Sequence, residues 1–260
     1  MKTKKICPRC SHKKIYIIRR GRWRCASCKY EWVPDRLPLH LNRKEWINIL
    51  KWFFHGLSAK AISHETEINR WRIHRALIKV RTAMAKDVPE IFSGTIEVDE
   101  TYIGGQWKNK RKKYKRIQAK RGRGTLKTPV FGILCRGGKV WAEIVPDVEA
   151  KTLIPLITKR VKCGSTICSD TWKSYTGIAT RGYVHRLVDH GKGEYADKQG
   201  NHINGLEGFW GYLKRKLASK GGIHKERLPL YLAEYVWRYN HRKFKIEKQI
   251  DNLLILLYKT

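Results

Sequence analysis

Residues 94–105 read "GTIEVDETYIGG", and here the rhythm of the chain changes. Upstream, apolar residues recur at helical spacing; from about residue 94 the period shortens toward two. Ile96 and Val98 fall on one face of a predicted strand, with Glu97, Asp99 and Thr101 on the other. Beyond it, "TPVFGILCRGGKVWAEIVPD" (128–147) reads as two strands around a Gly-Gly turn. "KTLIPLITKRV" (151–161) reads as a helix and "STICSD" (165–170) as a short buried strand ending in Asp170. "GYVHRLVDH" (182–190) is a further strand, and "HINGLEGFWGYLK" (202–214) opens a helix. Three strands, helix, strand, strand, helix is the order of an RNase H-like α/β domain.

The acids sharpen this reading. Asp99 sits at a polar position of the first strand, and Asp170 ends the fourth, where strand ends of α/β sheets carry ligands. Glu207 follows after 36 intervening residues, on a helix that can pack beside both. Three such carboxylates form a hard-oxygen cage for two Mg²⁺ about 4 Å apart, with Mn²⁺ able to substitute, suited to phosphodiester chemistry. Glu97 shares the face of Asp99, so the residues alone leave both as ligands; Asp170 also reads as a helix N-cap. On the last helix, Leu206, Phe209, Trp210, Leu213 and Leu217 mark the buried stripe. Glu207 and Lys214 lie within about 20° of each other at its edge, and Asn204 about 60° further round, as N-cap or as a neighbour of the ligands.

The charge is lopsided: 56 Lys+Arg against 22 Asp+Glu give +34, which favours a polyanion as partner. No stretch approaches the roughly 18–20 apolar residues of a membrane span, and "MKTKKICPRC" lacks the apolar core of a secretory signal. Seven cysteines, four of them in close pairs, favour metal over disulfides and a reducing cytoplasm.

Those pairs are Cys7-x2-Cys10 and Cys25-x2-Cys28, fourteen residues apart, flanking two predicted strands around Arg20-Gly21. Four thiolates at this spacing predict a zinc ribbon (1–36) holding one structural Zn²⁺. Arg19, Arg20, Arg22 and Arg24 make a basic face on it, whereas Cys135, Cys163 and Cys168 read as buried thiols. Residues 37–92 then turn helical. Asn42 and Glu45 form a capping box, Gly56 ends that helix, Ser58 caps a short one and Asn69 a longer basic one. This is the pattern of a helix-turn-helix, with Arg70, Arg72, His74 and Arg75 placed to reach DNA.

Together, "VDETYIGG", "SDTWKSY", "HINGLEGFWGYLKRKL" and "EYVWRYNHRK", behind the ribbon and the helices, resemble the zinc-ribbon insertion-sequence DDE transposases of the ISXO type over almost the whole chain. The resemblance implies an RNase H-like catalytic domain over 93–260 and Mg²⁺-dependent cleavage and joining of transposon ends. It also implies Asp99 and Asp170 as the first two catalytic acids. The third position varies between Glu and Asn in that group, often with a Lys on the same helix; helical geometry here favours Glu207 as the ligand, with Lys214 beneath it.

Residues 106–127 hold eleven Lys/Arg and no acid. They read as a basic loop in which Lys110, Arg111, Lys112, Lys113, Lys115 and Arg116 grip DNA phosphates, with Trp107 and Tyr114 available for stacking. In "LPLYLAEYVWRYNHRK", Arg238, Asn240 and Arg242 are expected to project toward DNA or the site. The apolar "IDNLLILLYKT" suggests burial or a subunit contact, and a homodimer or higher assembly on double-stranded DNA suits the cutting of two ends. A nuclease of the same fold without strand transfer, or a regulator that has lost its chemistry, are the rival readings.

Overall fold

The alternation along residues 95–103 is realised in the computed structural model as β4 (Thr95–Ile103), the middle strand of a five-stranded sheet. The structure describes residues 6–7, 9–19, 22–32, 37–89, 91–105, 127–170, 175, 177–188 and 203–258. They divide into two compact units, Met1–Val80 with Ile246–Thr260, and Arg81–Lys245.

In the first unit, β1 (Ile15–Ile17), β2 (Trp23–Cys25) and β3 (Glu31–Trp32) form a small antiparallel sheet. It has one strand more than the sequence reading expects. Helices α1 (Arg43–Phe54) and α2 (Ala59–Thr66) follow, and then α3 (Arg70–Lys86), whose residues up to Val80 belong to this unit. Both halves of the Asn42–Glu45 capping box form, and the hydroxyl of Ser58 accepts from Ala61 N–H. Trp46, Ile49, Leu50 and Phe53 of α1 are buried, as are Ile73, Ala76, Leu77 and Val80 of α3. The C-terminal helix groups with this unit rather than with the catalytic segment to which the sequence reading assigned it. Its Ile250, Leu253, Leu254 and Leu257 make a buried stripe at helical spacing, and Arg43 and Asp251 form an exposed ion pair.

The second unit is built on the sheet. After β4 come β5 (Thr128–Cys135), β6 (Val140–Ile144), α4 (Ala150–Arg160), β7 (Thr166–Asp170), β8 (Val184–Val188), α5 (Asn204–Ala218) and α6 (Leu228–Asn240). The C-terminal helix, Ile246–Tyr258, is α7. The element order is the one the sequence predicts, and the chain is a mixed α/β protein. Strands lie in the order β6-β5-β4-β7-β8; β4, β5 and β6 are antiparallel neighbours, while β7 runs parallel to both β4 and β8.

Side-chain alternation divides the core between two faces. Ile96, Val98, Phe131, Ile133 and Ile167 pack with Leu153, Ile154 and Ile157 of α4. Val130 and Leu134 pack on the other face with Leu206, Phe209, Trp210 and Leu213 of α5 and with Leu232 and Tyr235 of α6. Each fully buried side chain of this size contributes roughly 1.5–3 kcal/mol. Among the described residues no helix is long and apolar enough to cross a membrane.

Gly132, paired with Asp99, lets α5 come close. A Cβ there would stand 2.6 and 2.7 Å from Cζ2 and Cη2 of Trp210 and 3.1 Å from Cδ1 of Leu206. Gly132→Ala should therefore lower unfolding stability in urea by about 1–3 kcal/mol, the cost of overpacking a filled core. Gly208→Ala, on the exposed side of α5 with open space at its Cβ, should raise it by up to about 1 kcal/mol through helix propensity.

Candidate active site

The acids of β4 differ in what they already hold. Glu97 is fully buried; its Oε1 accepts from Arg136 Nε at 3.2 Å and its Oε2 from Leu206 N–H at 2.8 Å. The carboxylate thus shares the Leu206 N–H with the Ile203 carbonyl in the first turn of α5, where the helix dipole favours negative charge. Gly205 makes room for it, since a Cβ there would sit 2.9 Å from Oε2. Glu97 is occupied in pinning the helix to the strand.

Asp99, two residues on, carries the same face to the same helix. The indole Nε1 of Trp210 donates to its Oδ2 at 3.0 Å. Burial first, then the neighbouring carboxylate of Glu100 and that of Asp170, push the Asp99 carboxyl up from 3.8 to about 7; the Trp210 hydrogen bond opposes them. Asp170 is the last residue of β7. The parallel ladder pairs Thr95 with Thr166, Ile96 with Ile167 and Glu97 with Cys168. Carried two residues further, that register sets Asp99 and Asp170 at one level and on one face.

On α5, Phe209 and Tyr212 turn toward Tyr239 and Tyr235 of α6. At 100° per residue, Glu207 and Lys214 occupy the opposite flank. Burial lowers the Lys214 pKa, the charge of Asp99 opposes that, and Lys127 adds to it, so this ammonium lies within electrostatic reach of Asp99. Glu207 is exposed on that flank. Asn204 is the first residue inside the helix and is exposed, the N-cap being Ile203 with no side-chain cap. Asp170 and Lys214 thus each lie within electrostatic reach of Asp99. Among the described residues, Asp99, Asp170 and Glu207 do not form a group with all ligand atoms within 4.8 Å, whereas the four cysteines do.

Those cysteines stand as Cys7 Sγ 3.6 Å from Cys28 Sγ, and Cys10 Sγ 3.5 Å from Cys25 Sγ. Four sulfurs on a tetrahedron about 2.3 Å from a Zn²⁺ would be about 3.8 Å apart, so the cluster fits a structural zinc. Each pair sits on a tight knuckle. Ser11 and Lys29, each following the second cysteine of a pair, adopt left-handed φ of 59°, and Arg9 N–H points at Cys7 Sγ at 3.4 Å.

Several basic residues singled out by sequence have internal partners. Arg72 donates to Leu39 O at 3.2 and 2.9 Å and to His40 O at 2.8 Å. The Arg75 guanidinium lies 4.6 Å from the ring centroid of Trp71, which is 66% exposed; Arg70 is exposed and His74 half-buried. Lys110, Arg111, Lys112, Lys113, Lys115 and Arg116 lie outside the described residues. Arg238 and Asn240 do not project as expected. Arg238 bonds Glu234, which also holds Arg81, and the Asn240 amide pairs with both N–H and C=O of edge residue Val140. Arg242 stacks 3.8 Å from the Tyr239 ring centroid. Cys168 is buried as expected, Cys135 is half-buried and Cys163 is exposed. The sequence reading missed Trp210 as the partner of Asp99 and Gly132 as its seat, because a Trp in an apolar stripe reads as core.

Residues 91–240 match the family described as the ISXO2-like transposase domain. An uncharacterized transposase-like protein of Haemophilus influenzae is 36% identical over 117 residues, 45% of this chain and 94% of the relative. An uncharacterized protein in transposable element ISH50 of Halobacterium salinarum is 24% identical over 253 residues, 89% and 84% of the two chains. Among solved structures, the Mos1 transposase paired-end complex with left transposon end is similar at 12% identity over 88% of this chain and 83% of that one. Its TM-score of 0.23 is too low to carry an argument.

The raised Asp99 pKa has a consequence for stability. Between pH 3.8 and about 7 the folded protein keeps a proton that the unfolded chain has lost, so stability falls as pH rises through that window. Without added Mg²⁺, Asp99→Asn should therefore gain on wild type in urea unfolding between pH 5 and pH 8; a difference independent of pH would contradict the burial argument. Metal analysis should find one zinc per chain. Cys10→Ser with Cys25→Ser should lose it while the cooperative unfolding of the second unit persists.

Proposed function

The chain belongs to the ISXO2-like transposase family, and from that membership we propose that it is a DNA transposase. It would bind the ends of an insertion sequence, cleave DNA with the help of divalent metal, and join the freed ends to a target. The sheet order β6-β5-β4-β7-β8, with three antiparallel strands beside a parallel pair, supports an RNase H-like catalytic domain.

The observation that carries the reading is the pairing of Asp99 with Asp170. Two carboxylates at one level of adjacent strands, one of them held near 7 by burial and by the other's charge, are ionised together most readily around a cation. The donor set is hard oxygen, which fits Mg²⁺ and Mn²⁺ rather than zinc. Bound by Asp99, Asp170 and Glu207, two Mg²⁺ would activate the attacking oxygen and stabilise the leaving one. Trp210 fixes the rotation of the Asp99 carboxylate, and Lys214 offers its charge to a backbone phosphate beside the acids.

Helices α1 to α3 serve in this reading as a helix-turn-helix. Arg70, His74 and Arg75 face DNA, while Arg72 acts indirectly by tethering the segment at Leu39 and His40. Segment 106–127 grips phosphates, zinc holds the ribbon, and the protein works as a homodimer or higher assembly on DNA, in the cytoplasm at the nucleoid.

Duplexes carrying the repeats that flank the coding region should be cut and joined by wild type in Mg²⁺. Asp99→Asn, Asp170→Asn and Glu207→Gln should each lose more than the roughly 10–100-fold typical of residues one shell further out, with end binding in the absence of Mg²⁺ retained. Cleavage by Asp99→Asn and Asp170→Asn would end the proposal. Cutting without joining of pre-cut ends would leave a nuclease, and end binding without any cleavage a regulator.

A further inference from the structure

The two acids sit beyond the part of the sheet that binds their strands together. Hydrogen-bonded pairing between β4 and β7 ends at Glu97 and Cys168, two residues short of Asp99 and Asp170. The tip of β7 stays paired on its other side, Asp170 opposite Val188 of β8. Nothing in the β4–β7 ladder therefore opposes the mutual repulsion of the two carboxylates, which would splay the strand ends.

Across this gap lies a side-chain tie. Tyr175, five positions after Asp170, is fully buried among the residues of the α4 face, and its hydroxyl donates to Glu100 Oε2 at 2.8 Å. Glu100 is the peptide neighbour of Asp99 and projects from the opposite face of β4, behind the acids. The hydrogen bond thus links a residue five positions after Asp170 to the peptide neighbour of Asp99. The hydroxyl keeps its proton: burial, with the charges of Glu100, Asp99 and Asp170, raises its pKa well above 10.

We propose that Tyr175 is a positioning residue which, through Glu100, sets the separation of Asp99 and Asp170 and so the affinity of the site for divalent cation. This rests on the reading of Asp99 and Asp170 as metal ligands. Tyr175 touches neither substrate nor metal in it; the residue acts by fixing where the β7 end lies relative to β4.

The test is Mn²⁺ titration of the zinc-loaded full chain without DNA, followed by the paramagnetic signal of free Mn²⁺. Wild type should bind and Asp99→Asn should not; absence of that contrast would sink the metal-site reading itself, before the tie is in question. Given the contrast, Tyr175→Phe should raise the Mn²⁺ dissociation constant about tenfold or more, with end-DNA binding in the absence of Mn²⁺ unchanged. Glu100→Ala cuts the same tie from its other end, on a residue that is only partly buried, and should weaken binding likewise. The double variant should be no weaker than the weaker single one. Wild-type affinity in Tyr175→Phe, or losses that add in the double variant, would overturn the proposal.

Discussion

Everything on the α5 face of the sheet depends on one buried carboxylate, that of Glu97. It lies between a guanidinium and the first turn of a helix, accepting from Arg136 on one side and from Leu206 N–H on the other. A charge in the core is tolerated only when each of its acceptor sites is used, so this arrangement fixes how far along β4 the helix begins. The rest follows from helical geometry. Trp210, four residues after Leu206, reaches Asp99, and Lys214, four further on, reaches the same charge. Gly205 and Gly132 are the spaces that permit the approach.

A second constraint works against the first. Asp99, half-buried where Glu97 is fully buried, is still a costly ion, with Glu100 and Asp170 nearby and the Trp210 indole as its side-chain donor among the described residues. Among the described residues, Glu97 has the Arg136 guanidinium 3.2 Å away and Asp99 has none at contact distance. In the proposed reading, the unmet demand for positive charge at Asp99 would be answered by a cation, whereas that of Glu97 is met by arginine. Adjacent positions on one strand face thus take opposite roles through their partners, not their own chemistry.

This contrast also explains what could be read from the chain. Element order, both halves of the first capping box and the two cysteine pairs are local patterns, and the structure reproduces them. The choice between Glu97 and Asp99 is not local. Alternation puts both on one face, and what separates them are partners 39 and 109 residues away. Asn240 fails for the same reason: read as a ligand-facing amide on a basic helix end, it replaces a missing strand partner for Val140. Trp237 of the same stretch is buried, donates to Asp87 and stacks on His241, partners that its own sequence does not name. The C-terminal helix was legible as apolar and buried, but nothing in its sequence says that it packs with residues some two hundred positions earlier.

Internal use of basic residues bears on the meaning of the charge as well. Arg81, Arg136 and Arg238 are spent on Glu234 and Glu97, and Arg72 on backbone carbonyls. Such arginines contribute to net charge without being a footprint for a polyanion. Yet the chain has 22 acids for 56 Lys and Arg, so if every acid were paired, 56 − 22 = 34 cations would still lack an internal counter-charge. Neutralising them falls to small ions or to a polyanion, and each small ion released when phosphates take its place adds to affinity for nucleic acid and to its salt dependence. In the proposed reading the excess would supply a non-specific hold on DNA along the chain, and choice of sequence would come from few residues.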